Sequence, residues 1–256
     1  MSRPIAVISL FIALILAFVI GANLSLEPAI DRVPPPPDFS EFSAGEARKQ
    51  AFYDYFVPLI EAENRRILAD RERLEALIDK GFASASEQNW LARLAATYEF
   101  EAEMDEPENW LRLLRRVDGI PPSLALAQAA NESAWGTSRF AVDGNNYFGQ
   151  WCFVEGCGLV PASRPEGARH EVAAFTSAAH SVRRYMNNIN THFAYEELRT
   201  LRAQLREQGK AITGLALSPT LIRYSERGIE YIEELQTMIR FNRLQQFDEQ
   251  SSLRQG

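Results

Sequence analysis

The stretch Ile120-Pro-Pro-Ser-Leu-Ala-Leu-Ala-Gln-Ala-Ala-Asn-Glu-Ser-Ala-Trp-Gly136 decides how this chain folds. The breaker Asp118-Gly119-Ile120-Pro121-Pro122 ends whatever helix precedes it. From Ser123 to Trp135 alanine and leucine then occupy nearly every side, the pattern of a helix buried within a domain rather than lying on one. Into that apolar setting the sequence places one carboxylate, Glu132, close to the helix end. Burial disfavours the charged form, so the pKa of Glu132 should rise toward that of a usable general acid, the requirement for protonating a glycosidic oxygen. The structural alternative is a Glu that pairs with a base such as Arg139 or caps a backbone amine.

Outward from this helix the texture changes. Gly144 to Phe175 is dense in glycine, proline, aromatics and short alternating runs such as Val172 and Ala174 against Ala173 and Phe175, which predicts a small β-hairpin lobe. Helical spacing resumes at Val182, Tyr185, Met186 and Ile189, again at Leu198, Leu201 and Leu205, and last at Ile229, Ile232, Leu235 and Ile239. Upstream, Ser43 with Glu46 has capping-box spacing before apolar positions at Phe56, Ile60, Ile67, Leu74 and Ile78, with a kink expected at Pro58 and a stop at Gly81. Ser84 with Glu87 repeats the box before Trp90, Leu91 and Leu94. The acidic stretch Glu99 to Glu108 reads as a solvated linker or helix end. The fold class is mainly α with a small β-hairpin lobe.

The first segment is of another kind. Ile5 to Ala22 holds eighteen residues without a charge, about the length that crosses a hydrocarbon core at about 1.5 Å per residue. Arg3 precedes the run and Glu27 is the first charge after it, so the positive-inside rule leaves the N-terminus in the cytoplasm and puts the rest across the membrane. Residues 1–22 are thus a signal anchor or a signal peptide. Residues 23–40, with Pro34, Pro35, Pro36 and Pro37, form a semi-rigid proline-rich spacer. The remaining divisions are a helical accessory region over 41–110, a second domain over 111–247 and a polar, frayed tail over 248–256.

Composition narrows the chemistry. The chain of 256 residues has a formal net charge of -7, which lacks the electrostatic footprint of a nucleic-acid binder. Three histidines and two cysteines are too few and too dispersed for a zinc cage, and no cofactor fingerprint is present: no H-E-x-x-H, G-x-S-x-G, phosphate-binding loop or dinucleotide glycines. Cys152 and Cys157 flank Phe-Val-Glu-Gly, short enough for a turn at Glu155-Gly156, and a location outside the cytoplasm permits a disulfide. Two free buried thiols are the alternative, and a Cys–His pair with His170 or His192 a third that no nucleophile motif supports.

Several landmarks come together in order: Ala129-Ala-Asn-Glu-Ser-Ala-Trp-Gly136, Asn145-Asn-Tyr-Phe-Gly149, Phe175 before the Val182 to Tyr185 helix, and Tyr224-Ser225 closing with Gly228 and Tyr231. From about Ile120 to Leu244 the chain resembles the glucosaminidase family of bacterial cell-wall hydrolases. Cys152 to Pro161 and His170-Glu171-Val172 resemble its Bax-type branch, related to the flagellar rod-cap muramidase. The resemblance implies a lysozyme-like helical fold with a β-lobe and a cleft between them. It implies cleavage of the β-1,4 bond after N-acetylglucosamine in peptidoglycan strands, on the periplasmic side of the inner membrane or after export.

Residue by residue, the resemblance makes Glu132 the general acid. Trp135, Asn146, Tyr147, Phe148 and Gly149 become walls of the cleft, and Tyr224 the holder of the acetamido group or the water. Core aromatics are the alternative for Tyr147 and Phe148, and a buried ring for Tyr224. The match weakens at a second carboxylate. Aligned on Phe175, the position expected for a hairpin acid falls on Ala162, Ser163 or Arg164, which leaves Glu166 in an exposed turn and Glu171 on the strand, with Glu171 the candidate. A route through the substrate's own acetamido oxygen, or through a muramic 6-hydroxyl as in lytic transglycosylases, needs only one acid. A non-hydrolytic wall-binding protein is the third possibility.

Overall fold

The computed structural model describes residues 33–162, 164, 167 and 169–251. The apolar run Ile5 to Ala22, Glu166 and the last five residues lie outside the described residues. Among those described, no helix is long and apolar enough to cross a membrane. The described residues from Pro35 to Ser251 belong to one compact unit.

Among the described residues, ten α-helices run in order: α1 (Glu46–Lys80), α2 (Ala85–Thr97), α3 (Pro107–Leu114), α4 (Pro122–Ser133), α5 (Arg139–Gly144), α6 (Ala178–Thr191), α7 (Glu196–Glu207), α8 (Gly214–Leu217), α9 (Ile229–Phe241) and α10 (Gln245–Glu249). Helix α4 is the central one, with its residues buried from Pro122 to Ala130, and α1, α8, α9 and α10 pack around it. A helix apolar on all sides is stable only when others enclose it, and α1 supplies much of that enclosure. Asn64 of α1 grips the chain just ahead of α4: its Nδ2 donates to the Ile120 carbonyl (2.8 Å) and its Oδ1 accepts the Ile120 N–H (2.9 Å).

The entry into α4 is held by charge. Asp118 is buried beside Arg71 of α1 (3.4 Å) and Arg206 of α7 (2.6 Å), with Arg202 at 3.7 Å. Its Oδ1 also accepts the Gly119 N–H (2.8 Å). Arg202, with no solvent exposure, donates to the Asp118 and Gly119 carbonyls at 3.1 and 3.0 Å. Burial alone would raise the Asp118 pKa, but Arg202, Arg71 and Arg206 together hold it below the ordinary carboxylate value. At the N-terminus of α4, Asp248 accepts the Ser123 N–H (2.9 Å) and hydroxyl (2.6 Å) and the Gly214 N–H (3.1 Å). A carboxylate there satisfies open helix donors and complements the helix dipole.

Two boundaries differ from those expected. The frayed tail does not begin at residue 248, because Asp248 and Ser251 are buried. The proline-rich spacer ends before Phe39, whose ring sits 5.4 Å from Phe52 and covers Gly136, where a Cβ would overlap it. The local signals also divide. The Ser84–Glu87 capping box forms, whereas α1 starts after Gly45 without a side-chain cap. Glu46 pairs instead with Lys49 at 3.2 Å. Helix α1 continues through Pro58.

The β-lobe is a three-stranded antiparallel sheet of β1 (Trp151–Cys152), β2 (Gly158–Leu159) and β3 (Glu171–Ala173). Its order is β1-β3-β2, so the two arms of the loop 153–157 pair with β3 between them and not with each other, as a simple hairpin would. Trp151 lies opposite Val172 and Cys152 opposite Glu171. Cys152 and Cys157 form the expected disulfide, with Cα atoms 6.2 Å apart.

Asp118→Asn should destabilise the protein by about 3–5 kcal/mol, because the amide leaves buried guanidinium groups without their counter-charge; urea unfolding at neutral pH measures this. As the folded pKa is the lower one, the Asp118 contribution is complete above the unfolded value of about 3.9 and is lost as pH falls below it, so the gap between wild type and variant should close in acid.

Candidate active site

Glu132 sits in the last turn of α4, half-buried. Burial raises its pKa and the nearby charge of Glu234 adds to that, while hydrogen bonds from Tyr231 and Asn131 and the charge of Arg227 oppose it. The net direction is upward, as the sequence predicts for an acid at the end of an apolar helix. The helix closes in the left-handed region, with Ala134 at φ 50° and Trp135 at φ 59°. Arg139 does not pair with Glu132; its Nη2 donates to the Val160 carbonyl (2.7 Å).

Gly149 faces the acid. Its φ is +64°, and a Cβ built on it would stand 3.3 Å from Glu132 Oε2. At this position the chain presents backbone rather than a side chain to Glu132. Asn146, expected as a cleft wall, is buried with its amide fully engaged: Nδ2 donates to the Gln150 and Ala173 carbonyls (both 2.8 Å) and Oδ1 accepts from the Gln150 N–H (3.1 Å). Tyr147 is buried edge-on against Phe56 at 4.6 Å, and Phe148 is stacked on Tyr185 at 4.0 Å. These three side chains are corrected from cleft walls to the packing that holds Gly149 in place.

Trp135 is half-buried, held by edge contacts to Phe52 (5.7 Å) and Tyr53 (5.8 Å) of α1. It lines an open groove of about 530 Å³ with Lys49, Glu230, Glu234, Met238 and Phe241. Tyr224 is stacked on Tyr231 (5.4 Å, 7° between planes), and its hydroxyl donates to the Phe148 carbonyl (3.0 Å). Burial, with the charge of Glu132 among lesser causes, pushes the Tyr224 hydroxyl well above its ordinary pKa.

Glu171, the candidate second acid, is engaged within its own lobe. One of its oxygens accepts the Gly156 N–H (3.1 Å) and the other the Gly158 N–H (2.8 Å), and these two amides hold its carboxyl below the ordinary range. A carboxylate whose two oxygens are taken up by its own lobe latches the loop, and its ionised form is favoured. The ligand-type atoms of Cys152, Cys157 and Glu171 lie within 4.8 Å of one another. With the sulfurs bonded to each other and both carboxylate oxygens engaged, the cluster offers no metal cage. The disulfide equally excludes a thiol nucleophile.

A polar chain under the acid goes beyond the residues that the sequence singles out. Tyr185 donates to Gln128 Oε1 (2.6 Å), Gln128 Nε2 donates to the Tyr231 oxygen (3.1 Å), and the Tyr231 hydroxyl reaches Glu132. One signal for it was available: Gln128 is the polar residue within an alanine-rich helix, four positions before Glu132 and so on the same face.

Comparison with known proteins places the chain in a family. The family model described as "Glucosaminidase: Mannosyl-glycoprotein endo-beta-N-acetylglucosaminidase" matches residues 108–244, which contain Glu132, Gly149, Tyr224 and the whole β-lobe. The chain is 35% identical over 207 residues to "Protein bax" of Escherichia coli (strain K12), covering 80% of this chain and 74% of that protein. No solved structure matches it. On both the family match and the extent of its identity to that relative, the chain belongs to the bacterial glucosaminidase family.

Proposed function

We propose that this protein is a peptidoglycan endo-β-N-acetylglucosaminidase of lysozyme-like design in which Glu132 protonates the leaving glycosidic oxygen. The observation that carries the reading is the half-buried Glu132 with a raised pKa, facing the side-chain-free surface of Gly149 at the end of a buried helix. A proton donor is helped by a pKa raised toward the working pH and by the lack of a side chain facing it, and the upward shift of Glu132 and the bare backbone of Gly149 support that reading. Trp135 and Gly149 form cleft wall, and Tyr224 holds the acetamido group or water at the cleft floor. The apolar run Ile5 to Ala22 and the proline-rich segment after it support a tether that places the enzyme on the periplasmic side of the membrane. A disulfide fits that oxidising location.

The engagement of Glu171 favours a mechanism with one protein carboxyl. Attack by the substrate's acetamido oxygen then gives retention at the anomeric carbon. The same observation keeps lytic transglycosylation, in which a muramic 6-hydroxyl attacks, as the second reading. Mass spectrometry of digested peptidoglycan separates them: reducing N-acetylglucosamine ends support the first, 1,6-anhydromuramic ends the second, and binding without new ends would leave a wall-binding protein.

Glu132→Gln should lower turnover by roughly 10²-fold or more, since the amide keeps the shape and cannot donate the proton, with its melting temperature close to that of wild type. Turnover above about a tenth of wild type would remove Glu132 from the acid role. The pH profile offers a separate check. A general acid works only while protonated, so kcat/KM should fall as pH rises through the Glu132 pKa. Because the Tyr231 hydroxyl stabilises the ionised form and holds that pKa down, Tyr231→Phe should move the alkaline limb to higher pH.

A further inference from the structure

Trp151 is the first residue of β1, and more than half of its surface, 57%, is open to solvent. One face of the indole is occupied: the His170 ring lies parallel to it, 4.3 Å between centroids and 8° between planes. Such stacking fixes an aromatic ring in orientation and leaves its other face presented as a flat surface.

The backbone that carries that surface also runs close to the acid. Gly149, where a Cβ would touch Glu132, is two residues earlier, a separation that spans at most about 7 Å of chain. The residue between them, Gln150, is held from several sides. Its N–H donates to Asn146 Oδ1 (3.1 Å), its carbonyl accepts from Asn146 Nδ2 (2.8 Å) and the Ala173 N–H (2.9 Å), and its side chain donates to the Ser181 carbonyl (3.1 Å). On the other side the Cys152–Cys157 disulfide follows directly. An exposed tryptophan on backbone this constrained, beside the general acid, is pre-organised for a flat apolar ligand face.

We propose that Trp151, braced by His170, is a sugar-binding platform on which the apolar face of a pyranose ring of the glycan stacks, one step along the strand from the bond held at Glu132. A pyranose presents axial C–H groups on one face and hydroxyls at its edge, so an aromatic plane binds its face while the edge stays solvated. The identity of the ring as an N-acetylated hexosamine rests on the glycosidase reading above; the platform rests on the geometry of Trp151.

The test is titration of the full chain with a soluble hexamer of β-1,4-linked N-acetylglucosamine, carried out in the Glu132→Gln background so that no ligand is consumed. Calorimetry gives affinity, and acrylamide quenching reports whether the open tryptophan becomes shielded. Trp151→Ala should weaken binding roughly tenfold, the loss expected of one stacking face, and should abolish the shielding. Trp151→Phe should recover part of the affinity. Phe82→Ala, which removes another exposed aromatic (62% open) on the loop after α1, should change nothing. Equal affinity of Trp151→Ala and its parent, or no binding of the hexamer by the parent, overturns the platform. Failure of the glycosidase reading has a different signature: wild type that releases no new ends from peptidoglycan, yet binds the hexamer through Trp151, keeps the platform and removes the enzyme.

Discussion

The rest of the molecule depends on a carboxylate that water does not reach. Asp118 lies at the point where α3 has ended and α4 has not begun, and Arg71 from α1 and Arg206 from α7 close on it, with Arg202 behind. Burying an ion pair yields little net stability, since desolvation offsets the attraction, but it is unforgiving about where its members stand. Here it fixes the chain direction at Gly119-Ile120, and Asn64 repeats the grip one residue later. With Asp248 holding Ser123 at the first turn, the start of α4 is set from three distant parts of the chain. The end of α4, where the acid sits, follows from the start at about 1.5 Å per residue.

That helix must be apolar to be buried, and yet it carries a carboxylate in its last turn. The two are reconciled through a single polar thread. Tyr185, Gln128 and Tyr231 pass hydrogen bonds up to Glu132, so each buried polar atom in the thread has a partner. Burial pushes the Glu132 pKa up and hydrogen bonds from Tyr231 and Asn131 pull it back, so its poise is a balance between the core and these polar neighbours. Aromatic stacking keeps the phenol in place, since Tyr231 lies parallel to Tyr224 and Tyr224 is bonded to the carbonyl just ahead of Gly149.

The small sheet is held in a comparable way. Strands of two or three residues have few ladder bonds of their own, and short isolated strands are only marginally stable in water. The lobe is held by the disulfide, by Glu171 bonded to Gly156 and Gly158, and by Asn146 tying β3 to the Gly149 segment. Gly158 belongs to this set, because a Cβ there would overlap the Val172 carbonyl. The acid that the sequence offers for chemistry is therefore used for architecture.

What the sequence determined by itself is whatever depends on near neighbours. The burial of α4 follows from alanine and leucine on all its faces, the Ser84–Glu87 cap from a spacing of three, and the Cys152–Cys157 pairing from a loop of four residues. The raised pKa of Glu132 was legible too, because an acid near the end of a largely apolar helix is partly withdrawn from water. Only the tertiary structure decided the rest. Whether Glu171 met water or its own loop turned on a backbone path through Gly156 and Gly158, and Asn146, Tyr147 and Phe148 went inward because Ala173, Phe56 and Tyr185 arrive from elsewhere in the chain. Asp248 looked like part of a polar tail until Ser123, 125 residues away, supplied its donors. A polar side chain's role is set by the partner that satisfies it, and when that partner is distant in sequence no local pattern records the pairing.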